Sequence, residues 1–259
     1  MNICALCRQR KTLKDSHLIP KWVYKRLLHS ESENNKHPVK VAGKAACLTS
    51  DQITQYLLCD DCEDRFSKRE DYVARLTVLE NGTPRILQSI VRLDTPRGVL
   101  SELGNDIDSA QIAYFASSIF WRSCVMQRGC KLGPYESQFR SYLLEETPFP
   151  PIAMLSLGIL EPYAQTDNPY HGINPYVWVT EPASSRAGAL RLHGFILCGL
   201  VFRCFIGQAL PIMWKQKICL AGTAQRKFVS LFKPDKCEDF LNALDMLTGA
   251  KPRGKLATK

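Results

Sequence analysis

Cys4-Ala5-Leu6-Cys7 near the start of the chain, and Leu57-Leu58-Cys59-Asp60-Asp61-Cys62 further along, decide how the first third of this sequence folds. Each stretch carries a C-x-x-C pair, and the 51 residues between Cys7 and Cys59 leave room for substantial structure between the pairs. Four thiolates from two such pairs can form a tetrahedron, which a structural Zn²⁺ ion occupies at about 2.3 Å per sulfur. Tyr56-Leu57-Leu58 reads as a short strand running into Cys59. Asp60 or Asp61 can then cap a helix from about Cys62 to Leu79. The segment is basic and has little apolar material of its own, so a metal staple is the expected source of its stability.

A knuckle, a strand and a helix N-terminus sharing one ion make a treble-clef arrangement. Between the two pairs, Pro20 is placed to open a helix that carries Trp22, Val23, Arg26 and Leu27 at helical spacing. Residues 30–46 read as a loop with one hairpin. Beyond the zinc block, Asn81-Gly82-Thr83-Pro84 and Thr95-Pro96-Arg97-Gly98 suggest a linker. Asp108 can cap a long helix with an apolar stripe of Ile112, Phe115, Ala116, Ile119 and Phe120, ended by Gly129. A shorter helix starts at Pro134. Strands are then expected over Ile152–Leu160, Tyr176–Thr180, Leu190–Ile206 (broken at Gly194 or Gly199) and Lys227–Leu231, and a last helix over Asp235–Leu247. The expected fold class is α+β. A treble-clef zinc domain (1–80) precedes a mixed α+β domain (81–250) of helices followed by antiparallel-type strands, and 251–259 is a disordered basic tail.

Composition narrows the function. The chain has 259 residues, 45% of them apolar and 23% charged, as in ordinary globular proteins. The apolar run Phe195–Ile206 is about half of the ~20 residues a membrane span needs, and Arg203 interrupts it. No membrane association is expected, and no signal-peptide pattern opens the sequence, so a cytoplasmic location is expected. In a reducing compartment eleven cysteines mean metal ligands and buried thiols. Cys47, Cys124, Cys130, Cys198, Cys204, Cys219 and Cys237 stand singly and read as core filler. The net charge of +9 is uneven, with ten Lys or Arg against three acids in residues 1–44. A polyanion such as nucleic acid is the natural partner.

The order of a C-x-x-C knuckle, Ser16-His17-Leu18-Ile19-Pro20, and Leu57-Leu58-Cys59-x-x-Cys62 opening a helix resembles the HNH endonucleases, the ββα-metal fold, over about residues 1–73. The resemblance implies that His17 is the general base toward an attacking water, a task suited to an imidazole near its working pH. It also implies a catalytic Mg²⁺ or Mn²⁺ beside the structural Zn²⁺. The chain departs from the family's pattern at Ser16, where an acid or histidine ligand usually stands. Thr54 lies near the middle Asn position, and Glu63 replaces the closing histidine. Glu63 and Asp15 are the candidate ligands for the hard cation, with Asp61 and Glu70 behind them. Alternatively, Asp60, Asp61, Glu63 and Asp64 complement the positive end of a helix dipole. The activity implied is hydrolysis of phosphodiester bonds, in DNA rather than RNA. The alternatives are a catalytically inactive zinc module that binds nucleic acid and a protein-interaction scaffold. The second domain is a place for a homodimer contact or a protein partner.

Overall fold

The computed structural model describes residues 2–28, 38–96, 98–162, 173–223 and 226–257. The N-terminal block runs β1 (Asn2–Ile3), β2 (Arg10–Lys11), β3 (Leu13–His17), α1 (Lys21–Leu28), β4 (Val39–Ala42), β5 (Ala45–Leu48), β6 (Thr54–Cys59) and α2 (Asp60–Leu76). Then come β7 (Leu79–Glu80), β8 (Thr83–Pro84), β9 (Ile90–Thr95), β10 (Gly98–Leu103), α3 (Ser109–Val125) and α4 (Glu136–Leu143). The rest is β11 (Ala153–Leu160), β12 (Ala183–Ala187), β13 (Leu190–Leu197), β14 (Leu200–Ile206), α5 (Ile212–Ile218), β15 (Phe228–Phe232), α6 (Glu238–Thr248) and β16 (Lys251–Pro252). The fold is α+β, as the sequence implies.

A seven-stranded sheet, in the order β12-β13-β14-β11-β15-β10-β9, forms the body. All neighbours are antiparallel except β11 and β15. β13 and β14 are joined by a two-residue hairpin turn. Cys198 and Gly199 both adopt positive φ (49° and 85°), the two-residue turn whose twist matches the strands. A Cβ at Gly199 would lie 2.5 Å from the Tyr176 ring, so this turn also needs glycine for space. The break in Leu190–Ile206 therefore falls at Gly199, while Gly194 stays inside β13.

Helix α3 lies across this sheet, and Asp108 caps it by accepting from the N–H groups of Ala110 and Gln111. The expected one-sided stripe is instead burial all round: every residue from Ile112 to Ser123 is buried. Phe115 and Phe120 pack on Phe202 and Phe195 of the sheet, while Tyr114 and Trp121 meet Phe66 of α2 edge-on. A helix apolar on all sides belongs in a core. Ser117 and Ser118 fit there by donating to the carbonyls of Ala113 and Phe115 at 2.7 Å. On the opposite face of the sheet, Phe240 of α6 closes a smaller cluster with Leu160, Ile196 and Val201. Five of the seven single cysteines (Cys130, Cys198, Cys204, Cys219 and Cys237) are buried, as core filler should be; Cys47 and Cys124 are partly buried.

Several expectations are corrected. The stretch read as a linker forms β9 and β10, an edge hairpin of the main sheet; Thr95-Pro96 is the turn of a hairpin and not a break. Tyr176–Thr180 is not a strand. Pro175–Val177 makes a single 3-10 turn, because the Asn174 side chain accepts from the Tyr176 N–H, and only Val179 bridges to Leu197. Helix α2 starts at Asp60 with Cys59 in the cap position, so the acids occupy its first turn instead of capping it. One continuous cluster of buried side chains runs from Cys4 and Leu6 through Phe66 and α3 to the sheet. The stretch 251–259 is not simply a disordered tail. Lys251–Pro252 pairs in parallel with β5, with Lys251 N–H donating to Lys44 O and Arg253 N–H to Ala46 O, both at 2.8 Å.

Candidate metal centre

The first C-x-x-C pair sits in the turn between β1 and β2. Cys4 N–H donates to Gln9 O and Arg8 N–H to Cys4 O, both at 2.9 Å. Arg8 holds φ at 61°, the left-handed value that closes this turn at a cost of about 1–2 kcal/mol for a residue with a Cβ. The second pair ends β6 and opens α2. Ala5 N–H joins the two by donating to Leu57 O at 3.0 Å. That carbonyl is available because the β3–β6 ladder steps from Lys14↔Leu58 to Asp15↔Tyr56, leaving Leu57 as an extra residue.

The Sγ atoms of Cys4, Cys7, Cys59 and Cys62 all lie within 4.8 Å of one another, and Cys7 and Cys59 approach to 3.8 Å. A tetrahedron with Zn–S bonds of about 2.3 Å has edges of about 3.8 Å, so the set matches a zinc-binding cage. The spacing is far beyond a disulfide bond, and all four are free thiols. Burial raises the thiol pKa of Cys59 and raises that of Cys62 strongly, with the neighbouring cysteines adding to the effect at Cys62. At Cys4 burial works in the same direction, but the backbone N–H groups of Cys59, Cys7 and Leu6 outweigh it and hold the pKa below the ordinary value. Packed thiols with amides aimed at them need a soft divalent cation to ionise together, and the donor set fits Zn²⁺.

Three of the acids around this centre are engaged in ion pairs. Lys11 pairs with Asp61 at 2.6 Å and Lys14 with Asp60 at 3.2 Å, on the outside of the first turn of α2. These pairs match the helix-dipole reading. Glu70, a weaker ligand candidate, instead forms an ion pair with Arg122 at 2.7 Å.

His17 is the last residue of β3 and stands opposite Thr54. Its Nε2 is 2.7 Å from Gln52 Oε1, and its backbone carbonyl accepts from Arg122 Nη1 at 2.7 Å. With Gln52 Oε1 as the acceptor, the contact fits the tautomer protonated at Nε2. Ser16 is fully buried; its Oγ accepts from Leu58 N–H at 3.1 Å, which makes it a strand-locking residue. Asp15 is exposed on β3. Glu63 is half-buried, and its Oε1 is a buried oxygen with no hydrogen-bond partner among the described residues. Among the described residues only the four cysteines gather three or more ligand atoms; Asp15, His17 and Glu63 do not form a second cluster.

Sequence reasoning missed Gln52 and Arg122. Gln52 could be found by continuing the antiparallel register past His17↔Thr54, because it lies two residues before Thr54. Arg122 carries no such signal, as it reads as a polar residue late in an apolar helix. His29, His37 and His171 lie outside the described residues. Comparison with known proteins returns no match among family models, curated proteins or solved structures. Among the described residues no helix is long and apolar enough to cross a membrane.

Proposed function

We propose that this chain is an HNH-like, metal-dependent endonuclease built on a structural zinc centre and acting on nucleic acid, with DNA as the expected substrate. The observation that carries the reading is the placement of His17. It ends β3, β3 pairs with β6, and β6 runs through Cys59 into α2, so a histidine-bearing ββα unit is joined to the four-cysteine centre. A bond from Nε2–H to Gln52 Oε1 favours the tautomer with its lone pair on Nδ1, the atom that would take a proton from water. Glu63, whose buried Oε1 has no partner among the described residues, and Asp15 are the carboxylates that would have to move together to hold Mg²⁺ or Mn²⁺. Such an ion supplies positive charge to the leaving oxygen of the phosphodiester.

A second reading has its own observation. Asp15, His17 and Glu63 do not gather into one ligand group, and Ser16 is committed to the strand. A zinc module that binds nucleic acid without cutting it would have this arrangement.

Plasmid nicking in Mg²⁺ and in Mn²⁺, with binding measured alongside over a range of salt, separates the readings. His17→Ala should lower cleavage by about 10²–10⁴ and leave DNA affinity and zinc content unchanged. Binding should weaken with a log–log salt slope of about −0.9 per neutralised phosphate. Exposed Lys21 and Lys25 are the residues to reverse, whereas Arg26 donates to Thr77 O and Oγ1 and holds α1 in place. A wild type that binds DNA but cuts in no divalent metal favours the inactive module. Absence of binding at low salt favours a protein scaffold.

A further inference from the structure

From the β9 edge we infer that two copies of this chain associate by pairing β9 with β9 antiparallel, centred on Leu93. β9 is the last strand of the seven-stranded sheet, and among the described residues nothing pairs with its outer edge. A long open edge with apolar neighbours invites another strand unless its side chains repel one. Here they do the reverse.

The β9–β10 register places Leu100 directly opposite Leu93 and Glu102 opposite Val91, so these four share one face of the hairpin. Ile90 and Leu103 are partners on the other face, which turns toward α3 and the main core. The outer part of the first face is uncovered: Val91 and Leu100 are each about half exposed, at 47% and 46%, while Leu93 is partly buried and Glu102 is buried. The charges of β9 alternate with these residues, Arg92 on one side of Leu93 and Asp94 on the other.

Among the registers centred on Arg92, Leu93 or Asp94, symmetry and charge then favour one. A two-fold axis normal to the sheet keeps each face of the strand on the same face of the joined sheet. The period of two therefore requires the axis to pass through a residue and not between two. Centring on Arg92 sets Arg92 against Arg92, and centring on Asp94 sets Asp94 against Asp94. Like charges directly opposite are destabilising. Centring on Leu93 sets Arg92 against Asp94 twice and Leu93 against its own copy, with a Leu100 beside each. One continuous row of four leucines then crosses the seam. Arg92 also pairs with Glu161 of its own protomer, just past the end of β11, so the guanidinium leans inward over the sheet; its remaining N–H groups are the ones that would donate to Asp94 of the other copy. Asp94 has no ion pair among the described residues, and in this register it gains one.

The inference is independent of the nuclease reading and is tested by sedimentation of the full chain over a concentration series. Wild type should sediment as a dimer. Asp94→Arg should weaken the dimer by about tenfold or more, because both symmetric attractions become repulsions. Arg92→Asp should do the same, and the double exchange Arg92→Asp with Asp94→Arg should restore it. Since Arg92→Asp also removes the Glu161 pair, Leu93→Lys serves as a second disrupting variant, with circular dichroism confirming the native fold. A monomeric wild type would overturn the inference. So would single reversals that leave the dimer intact, or a folded double exchange that stays monomeric.

Discussion

The four-cysteine block and the sheet region hold themselves together by different means, although they share one core. In residues 2–62 of the block, four side chains do most of the specifying. Cys4, Cys7, Cys59 and Cys62 converge from a turn and a helix start, and short strands of two to six residues connect them. In the sheet region no single residue is decisive. Helix α3 is buried all round, and each large side chain it packs contributes roughly 1.5–3 kcal/mol. The difference shows where a fold is concentrated and where it is spread. Removing one ligand should undo the first region, while the second yields only to many losses. Helix α2 belongs to both, carrying Cys62 on its first turn and Phe66 against α3.

The largest expected effect follows from that shared helix. Metal removal by a chelator, or Cys59→Ser, withdraws binding energy on the order of 10 kcal/mol that is also folding energy. If the regions were separate domains, the sheet would survive with its own melting transition. Because α2 packs into the common core, calorimetry should instead show loss of the zinc centre lowering the melting temperature of the whole molecule. Two well-separated transitions, with the upper one unmoved, would break this part of the comparison.

Arg122 tests the joint between the regions. It is buried at 1% exposure, donates to the carbonyl of His17 on β3, and pairs with Glu70 on α2. Arg122→Met should cost about 3–5 kcal/mol by denaturant unfolding, since Glu70 would remain as a poorly compensated charge. Adding Glu70→Gln should recover much of that loss.

A smaller effect belongs to the sheet alone. His193 is fully buried; its Nδ1 is 2.8 Å from Ser184 Oγ, which donates to Gly129 O, and its Nε2 has no partner among the described residues. Burial, aided by the Arg191 charge, lowers its pKa from 6.5 to about 4. Above pH 6.5 both folded and unfolded states are neutral, and the group is silent. Below it the unfolded chain binds the proton first, so stability falls down to about pH 4 and then levels off, a total loss of about 3 kcal/mol. The slope should vanish in His193→Gln when the two are compared by urea titration across that range.

How much of this could be read from the residues follows the same division. The metal centre was legible because C-x-x-C spacing is local and chemically specific. The helices α1, α3, α4 and α6 and the strands β11, β13, β14 and β15 also follow from periodicity and turn residues. The β9–β10 hairpin was not legible, because its turn signals are those a linker would carry. Contacts made across the chain were hidden as well: Gln52 meets His17 over 35 residues and Arg122 meets it over 105. Sequence patterns report which face an element buries and not which distant residue it will meet.

The metal itself tests the account most directly. Elemental analysis of the purified full chain should find about one zinc per molecule, and Cys59→Ser should reduce it to near zero. A cooperatively folded wild type with no bound metal would contradict the account, because four converging thiols would then be held by packing alone.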